Sequence, residues 1–343
     1  PLNILSEYPE LNHLLEKYKN LKGTSSDLAI DISGIEISEN EINNAKINNQ
    51  AVYIKVFESG SNEVHSFTFG YLCIIESMAH IFQSFFDPTI EHPQIPYNAV
   101  QLICNHYLPS ISNDNKLMFS ICLCSLMFNN PGVGFFEILK LVKLNPRLDG
   151  QSLYKHMLVE SAVNNNGVKK SLSALFKEFI VNYQSNIESA IGNKLTYFAE
   201  VFKNCKIECD SGESLVLKLL YDSDITSKES IEQLLNFYGL PLVDSDSVTL
   251  MAKLPTKGSN YIDIACLRGL EMIIKRFNQS INRGKYPIYD PKCSMYDKCY
   301  KSLYAYEQNP PFEMSKDCEN KQWLKNSKCI MTESLRYYKL LGK

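Results

Sequence analysis

The sequence predicts an α+β protein: a small antiparallel sheet packed on a mainly helical body, with a helical C-terminal part. Three observations predict it. Ala51–Phe57 and His65–Leu72 read as strands on either side of the turn sequence Ser59-Gly-Ser-Asn62. From Asn98 onward the apolar residues recur at helical spacing. The chain has 343 residues, of which 45% are apolar, enough for a sizeable core and for two domains. We place the first, an α+β catalytic-like domain, at residues 1–205. The second, mainly helical and carrying a Tyr/Lys-rich interaction surface, takes 206–343.

The elements follow in order. Ser6–Leu21 reads as a helix, with Ser6 as cap, Pro9 in the first turn and Leu11, Leu14, Leu15 and Tyr18 as its apolar stripe. Leu28–Ser33 reads as a short strand. Glu36–Asn49 is polar and Asn-rich and reads as exposed. In the strand at 65–72, His65, Phe67 and Phe69 share one face. Ile74–Phe86 fits a central strand by its near-continuous apolar run, and a buried helix by its length and spacing. Pro88, Pro93 and Pro96 forbid regular structure up to Asn98.

Helices then follow at Ala99–Leu108, Asp114–Phe128 and Phe135–Val142, with Asn129-Asn-Pro-Gly132 ending the second. Gln151–Ala162 is a further helix, with Asp149 and Ser152 available as caps and Asn164-Asn-Asn-Gly167 ending it. Val168–Val201 holds two more helices, split near Gly192-Asn193. Cys205–Glu213 reads as a polar boundary. Ser214–Tyr221 is a short helix, and Thr226-Ser-Lys-Glu229 has capping-box spacing before Ile231–Phe237. Val248–Leu254 reads as a strand and Tyr261–Ile281 as a long amphipathic helix. Gly284–Lys343 holds eleven Lys or Arg, seven Asp or Glu, eight Tyr and Trp323, a mix that suits a protein contact surface.

Bulk numbers exclude several classes. A formal net charge of -3 excludes a polycation built to seek nucleic acid. No apolar run reaches the ~20 residues of a membrane span. Pro1-Leu-Asn-Ile-Leu5 lacks the basic start of a signal peptide. Eleven Cys, an odd number without disulfide-framework spacing, fit a reducing compartment. Cys73, Cys104, Cys122 and Cys124 lie in apolar runs, where a reduced thiol behaves as a small hydrophobe. Cys293 and Cys299 are spaced too widely for a zinc pair, and Cys205 with Cys209 lacks a partner pair, so no metal site is assigned. Gly132-Val-Gly134 is too short for a phosphate loop.

Two histidines carry candidate chemistry. His65 on a strand, Gln83 on the next element and the turn before Asp114 would supply a base, an orienting group and a helix N-terminus. The plain alternative is a strand His bordering a loop. These pieces resemble the Ulp and YopJ-like cysteine peptidases, in which His, an acid and Cys occur in that order. His65-Ser-Phe-Thr-Phe69 stands where that family has its His strand, and Ile81-Phe-Gln-Ser84 where it has the acid. Lys116-Leu-Met-Phe119 opens the nucleophile helix. Gln83 replaces the carboxylate, and Lys116 falls where Cys is expected. Cys122 and Cys124 lie further along, inside the helix. The resemblance implies a papain-like hydrolase or deamidase.

His156-Met-Leu-Val-Glu160 is the second candidate. The i, i+4 spacing puts imidazole and carboxylate on one helical face, where the acid orients the ring and strengthens it as a base. An ordinary helical pair is the plain alternative. A Ser upstream plus HxxxE on a helix resembles the S-HxxxE signature of the LnaB-like phosphoryl-AMPylases, effectors that bacterial pathogens deliver into host cells. In this sequence the residues are Ser112, His156 and Glu160, with Ser152 a rival for the Ser. The resemblance implies transfer of AMP from ATP, with Mg2+ as a candidate companion, to a phosphoryl group on a host protein. It also implies phosphoribosylated ubiquitin as acceptor, actin as the activating partner, and the host cytoplasm as the place of action. Ser112 would touch phosphate, His156 would act as base or phosphate ligand, and Glu160 would orient His156. A non-enzymatic adaptor, binding a partner through Gly284–Lys343, is the third possibility.

Overall fold

The computed structural model describes residues 19–28, 30–61, 63–165, 167–191 and 196–238, and the backbone at 243–244 and 249–250. The helix read at Ser6–Leu21 therefore lies mostly outside the described residues. So do Tyr261–Ile281, Gly284–Lys343 and Cys293, Cys299, Cys318 and Cys329. The architecture is α+β. Two compact units share the described residues. One holds the chain up to Ala174 together with Glu208–Ile231, and the other holds Leu175–Ile207 and the chain from Glu232.

In the first unit, β1 (Ile32–Glu36), β2 (Val52–Glu58) and β3 (Val64–Phe69) form an antiparallel sheet in that order. Alternation decides its faces. Val52, Ile54 and Val56 are fully buried, and Phe67 and Phe69 join them from β3. β1 begins later than the strand expected at Leu28–Ser33, where Leu28 instead makes a single bridge to Ile95. The stretch read as exposed between Glu36 and Asn49 folds as α1 (Glu39–Asn48). Ser38 caps it, and only Ile42 and Ala45 are buried, so its apolar face is too narrow to mark a helix by periodicity. Glu39 at its start accepts from Tyr107 at 2.9 Å and from Lys140 at 3.1 Å.

The ambiguous run becomes α2 (Tyr71–Ser84). A single turn (Gln94–Tyr97) and α3 (Ala99–Tyr107) follow, then α4 (Asn115–Ser125) and α5 (Pro131–Leu144). Phe69 sits edge-on to Phe135 at 5.1 Å and to Phe136 at 5.9 Å, joining sheet to helix. The sequence Asn129-Asn-Pro-Gly132 does more than end α4: it opens α5. Asn130 accepts from the Val133 amide at 3.2 Å, and Pro131 takes the first helical position. The Asn130 amide also donates to the carbonyls of Ala45 and Gln50, tying α1 and the start of β2 to α5. Gly132 lies so close to β3 that an added Cβ would stand 2.4 Å from the Phe69 carbonyl oxygen. Gly134 packs on the Phe128 ring in the same way. These glycines serve close packing of helix on strand.

The helix expected at Gln151–Ala162 is shorter and irregular. α6 (Gly150–Lys155) passes into one π-turn (His156–Glu160), and β4 (Ala162–Asn165) follows directly. Asn164 and Gly167, read as a helix end, turn the hairpin from β4 to β5 (Val168–Ser171). α7 (Leu172–Ile191) and α8 (Thr196–Ser211) follow, the second covering most of the stretch read as a polar boundary. α9 (Leu215–Asp222) and α10 (Lys228–Tyr238) complete the described helices. The α10 start departs from the expected box: Ser227, not Thr226, accepts from the Ser230 amide at 3.1 Å, while Asp224 holds Thr226. β6 (Val243–Asp244) and β7 (Thr249–Leu250) pair antiparallel. In the second unit, Tyr183 meets Phe202 edge-on, and Asn204 donates to the Phe237 carbonyl at 2.7 Å.

No helix of the described residues is long and apolar enough to cross a membrane.

Candidate functional site

The structure brings His156 and Glu160 together. α6 positions them, and its start is held from several sides. Asp149 caps it, accepting from the Ser152 amide at 2.7 Å. The Tyr221 hydroxyl accepts from the Gly150 amide at 3.2 Å, and Gln151 donates to Asp222 at 3.1 Å. Burial pushes the Tyr221 hydroxyl pKa up. Leu153, Tyr154, Met157 and Leu158 anchor the inner face, leaving Ser152 and Glu160 exposed and His156 half-buried.

At His156 the backbone widens. The Ser161 amide donates to the His156 carbonyl at 2.9 Å, an i to i+5 bond, and the Ser161 hydroxyl adds a second at 3.1 Å. One such turn at a helix C-terminus satisfies a last carbonyl that the helix itself leaves without a donor. Gly212 lies against it with φ +70°, and a Cβ there would stand 2.7 Å from Val159 Cγ2.

The His156 Nδ1 atom lies 2.9 Å from Glu160 Oε2. An ionised carboxylate only accepts, so Nδ1 carries the hydrogen, and in the neutral ring Nε2 keeps the lone pair. The side chains are 39% and 58% exposed, so a solute can reach both and the pair adds little to stability. Glu160 sits at the carbonyl end of its helix, where the dipole disfavours an acid. The imidazole offsets that cost.

Ser112 is placed differently. It is 7% exposed, and its hydroxyl donates to the Pro109 carbonyl at 2.9 Å. Gln101 donates to the Ser112 carbonyl. None of its bonds reaches His156 or Glu160. Ser152, the rival hydroxyl, stands exposed one helical turn before His156.

The pieces of the peptidase-like arrangement are drawn into separate local partnerships. His65 faces Glu58 and Glu63 at 3.5 and 3.7 Å. The Gln83 side-chain amide oxygen lies 3.2 Å from His92 Nε2, and Lys116 lies over the Tyr221 ring at 5.7 Å. Burial raises the thiols: Cys73 to about 11, Cys104 to about 12, and Cys122 and Cys124 also upward. None of these four is poised as a thiolate nucleophile.

Glu58 and Glu63 were not singled out from sequence. The signal was present: a tight turn at 59–62 sets the residues flanking it opposite each other. No protein-family model matches the chain, and neither a curated protein nor a solved structure does.

Proposed function

We propose that this chain is a nucleotidyltransferase of the phosphoryl-AMPylase kind, with His156 and Glu160 as its working pair. The observation that carries the reading is the 2.9 Å contact between a half-exposed imidazole and its carboxylate on a π-turn. The Ser112, His156, Glu160 order, which resembles the S-HxxxE signature, supplies the reaction class.

The reaction is a displacement at phosphorus. A phosphoryl oxygen of the acceptor attacks the α-phosphorus of ATP. A new P–O bond forms, the α–β bridge breaks, and pyrophosphate leaves with the bonding pair. Glu160 holds the ring through Nδ1–H and balances any charge it gains. His156 Nε2 takes the proton of an acceptor that carries one. Already protonated, it donates to a phosphate oxygen. The resemblance gives Ser112 the phosphate contact, which requires its hydroxyl to turn from Pro109.

Mg2+ bound to the nucleotide would neutralise phosphate charge. It takes one or two protein carboxylates and the phosphates themselves, and Glu160 is the one acid within the pair.

The acceptor class is a phosphorylated or phosphoribosylated host protein, with phosphoribosylated ubiquitin the first to test. Actin is the activating partner to test, and the host cytoplasm after secretion the place of action. The test is pyrophosphate release from ATP with acceptor and actin present. Wild type releases it, and His156→Ala reduces release to background. Equal release by the variant rejects the reading.

A further inference from the structure

We infer that Glu58, Glu63 and His65 form a binding site for one divalent transition-metal ion, tested as Zn2+, at the tip of the β2–β3 hairpin. The inference is independent of the His156 site. The strand register pairs Phe57 with Val64 and Val56 with His65, so Glu58 and Glu63 stand opposite each other at the closing end. The Glu58 amide donates to the Glu63 carbonyl at 3.3 Å, which confirms the pairing. Like charges directly opposite on a hairpin are destabilising. Period-2 alternation puts His65 on the same face as both.

The donor atoms of the three residues lie within 4.8 Å of one another. His65 Nε2 stands 3.5 Å from Glu58 Oε2 and 3.7 Å from Glu63 Oε2. Both separations exceed the ~2.7–2.9 Å of a charge-assisted hydrogen bond. They are close to the spacing of two ligands on a tetrahedral ion, about 3.4 Å for metal bonds of about 2.1 Å. Ser61 supports one of the two acids and the backbone of the other. Its hydroxyl donates to Glu58 Oε2 at 3.0 Å and accepts from the Glu63 amide at 3.1 Å. That is the outer-shell support a ligating carboxylate uses. Glu58 and His65 are seated at 30% and 29% exposure, while Glu63 at 74% closes from the solvent side. One imidazole with two carboxylates suits a borderline ion, and three protein ligands leave a fourth position open.

The test is equilibrium dialysis of the full chain against Zn2+, comparing wild type with Glu58→Gln/His65→Asn. Cysteines give zinc other places to bind, so the difference between the two proteins is read. The substituted side chains are partly exposed and near-isosteric, and circular dichroism checks the fold. We expect wild type to hold one more Zn2+ per chain, or to bind at least about tenfold more tightly. In wild type the His65 Nε2 resonance shifts on zinc addition. Identical stoichiometry and affinity in the two proteins, or an unmoved His65 resonance at zinc saturation, overturns the inference.

Discussion

His156 and Glu160 meet at 2.9 Å across one turn whose hydrogen bond runs from Ser161 back to the His156 carbonyl. The contact fixes one ring nitrogen and leaves the other for chemistry. Everything proposed for activity depends on that division of labour.

Gly212 supports the turn from outside. At φ +70° and with Val159 in the way, an added methyl is strained twice. We expect Gly212→Ala to cost about 1–3 kcal/mol, read from urea unfolding. Turnover should fall in the folded variant through displacement of the His156 turn. A variant as stable and active as wild type contradicts this packing role.

The two serines separate cleanly by substitution. Ser112→Ala removes one hydrogen bond to Pro109, a loss of about 1 kcal/mol that leaves the protein folded. We expect its pyrophosphate release to drop at least tenfold, an estimate from the loss of about 1.4 kcal/mol of phosphate binding. Ser152→Ala should stay within about twofold. The reverse ranking moves the phosphate contact to α6.

Acid stability carries a signature of His80. Burial, then the neighbouring His92, holds its pKa below the ordinary 6.5. The unfolded chain therefore binds the proton more readily. Stability is full above about 6.5 and declines as pH falls from there toward the folded value. We expect His80→Leu to flatten that part of a melting temperature against pH curve. Its Nδ1 is buried without a partner, so removal leaves no new orphan there. An unchanged slope contradicts the assignment.

Thiol chemistry supplies a further check. Cys73, Cys104, Cys122 and Cys124 are buried and raised in pKa. In native protein at pH 8, iodoacetamide should leave all four unmodified, and urea should expose them, as read by peptide mass mapping. Fast labelling of one of them in the folded state would revive a cysteine nucleophile.

Much of this was legible in the residues. The β2–β3 hairpin was, because one face is buried and the other is not, so alternation survives. The His156–Glu160 pair was, because spacing alone sets two side chains on one face. Ile74–Phe86 was ambiguous because tertiary packing around much of the helix it falls in, Tyr71–Ser84, removes the polar stripe that marks its period. α1 was missed for the opposite reason, with two buried residues in ten. The π-turn left no trace, since its one defining bond, from the Ser161 amide to the His156 carbonyl, lies in the backbone and marks no residue type. Ser112 was legible as a residue and not as a position, because its hydroxyl is spent on its own loop. The partners of His65 follow from turn geometry, which sets Glu58 and Glu63 opposite each other.

The central claim is tested most directly by following label from ATP. Wild-type chain, actin, phosphoribosylated ubiquitin and ATP labelled at either the α- or the γ-phosphate are combined, and the acceptor is isolated. We expect α-label on the acceptor, no γ-label, and loss of transfer in both His156→Ala and Glu160→Gln. Transfer of γ-label, or full α-transfer by His156→Ala, would contradict nucleotidyl transfer by this pair.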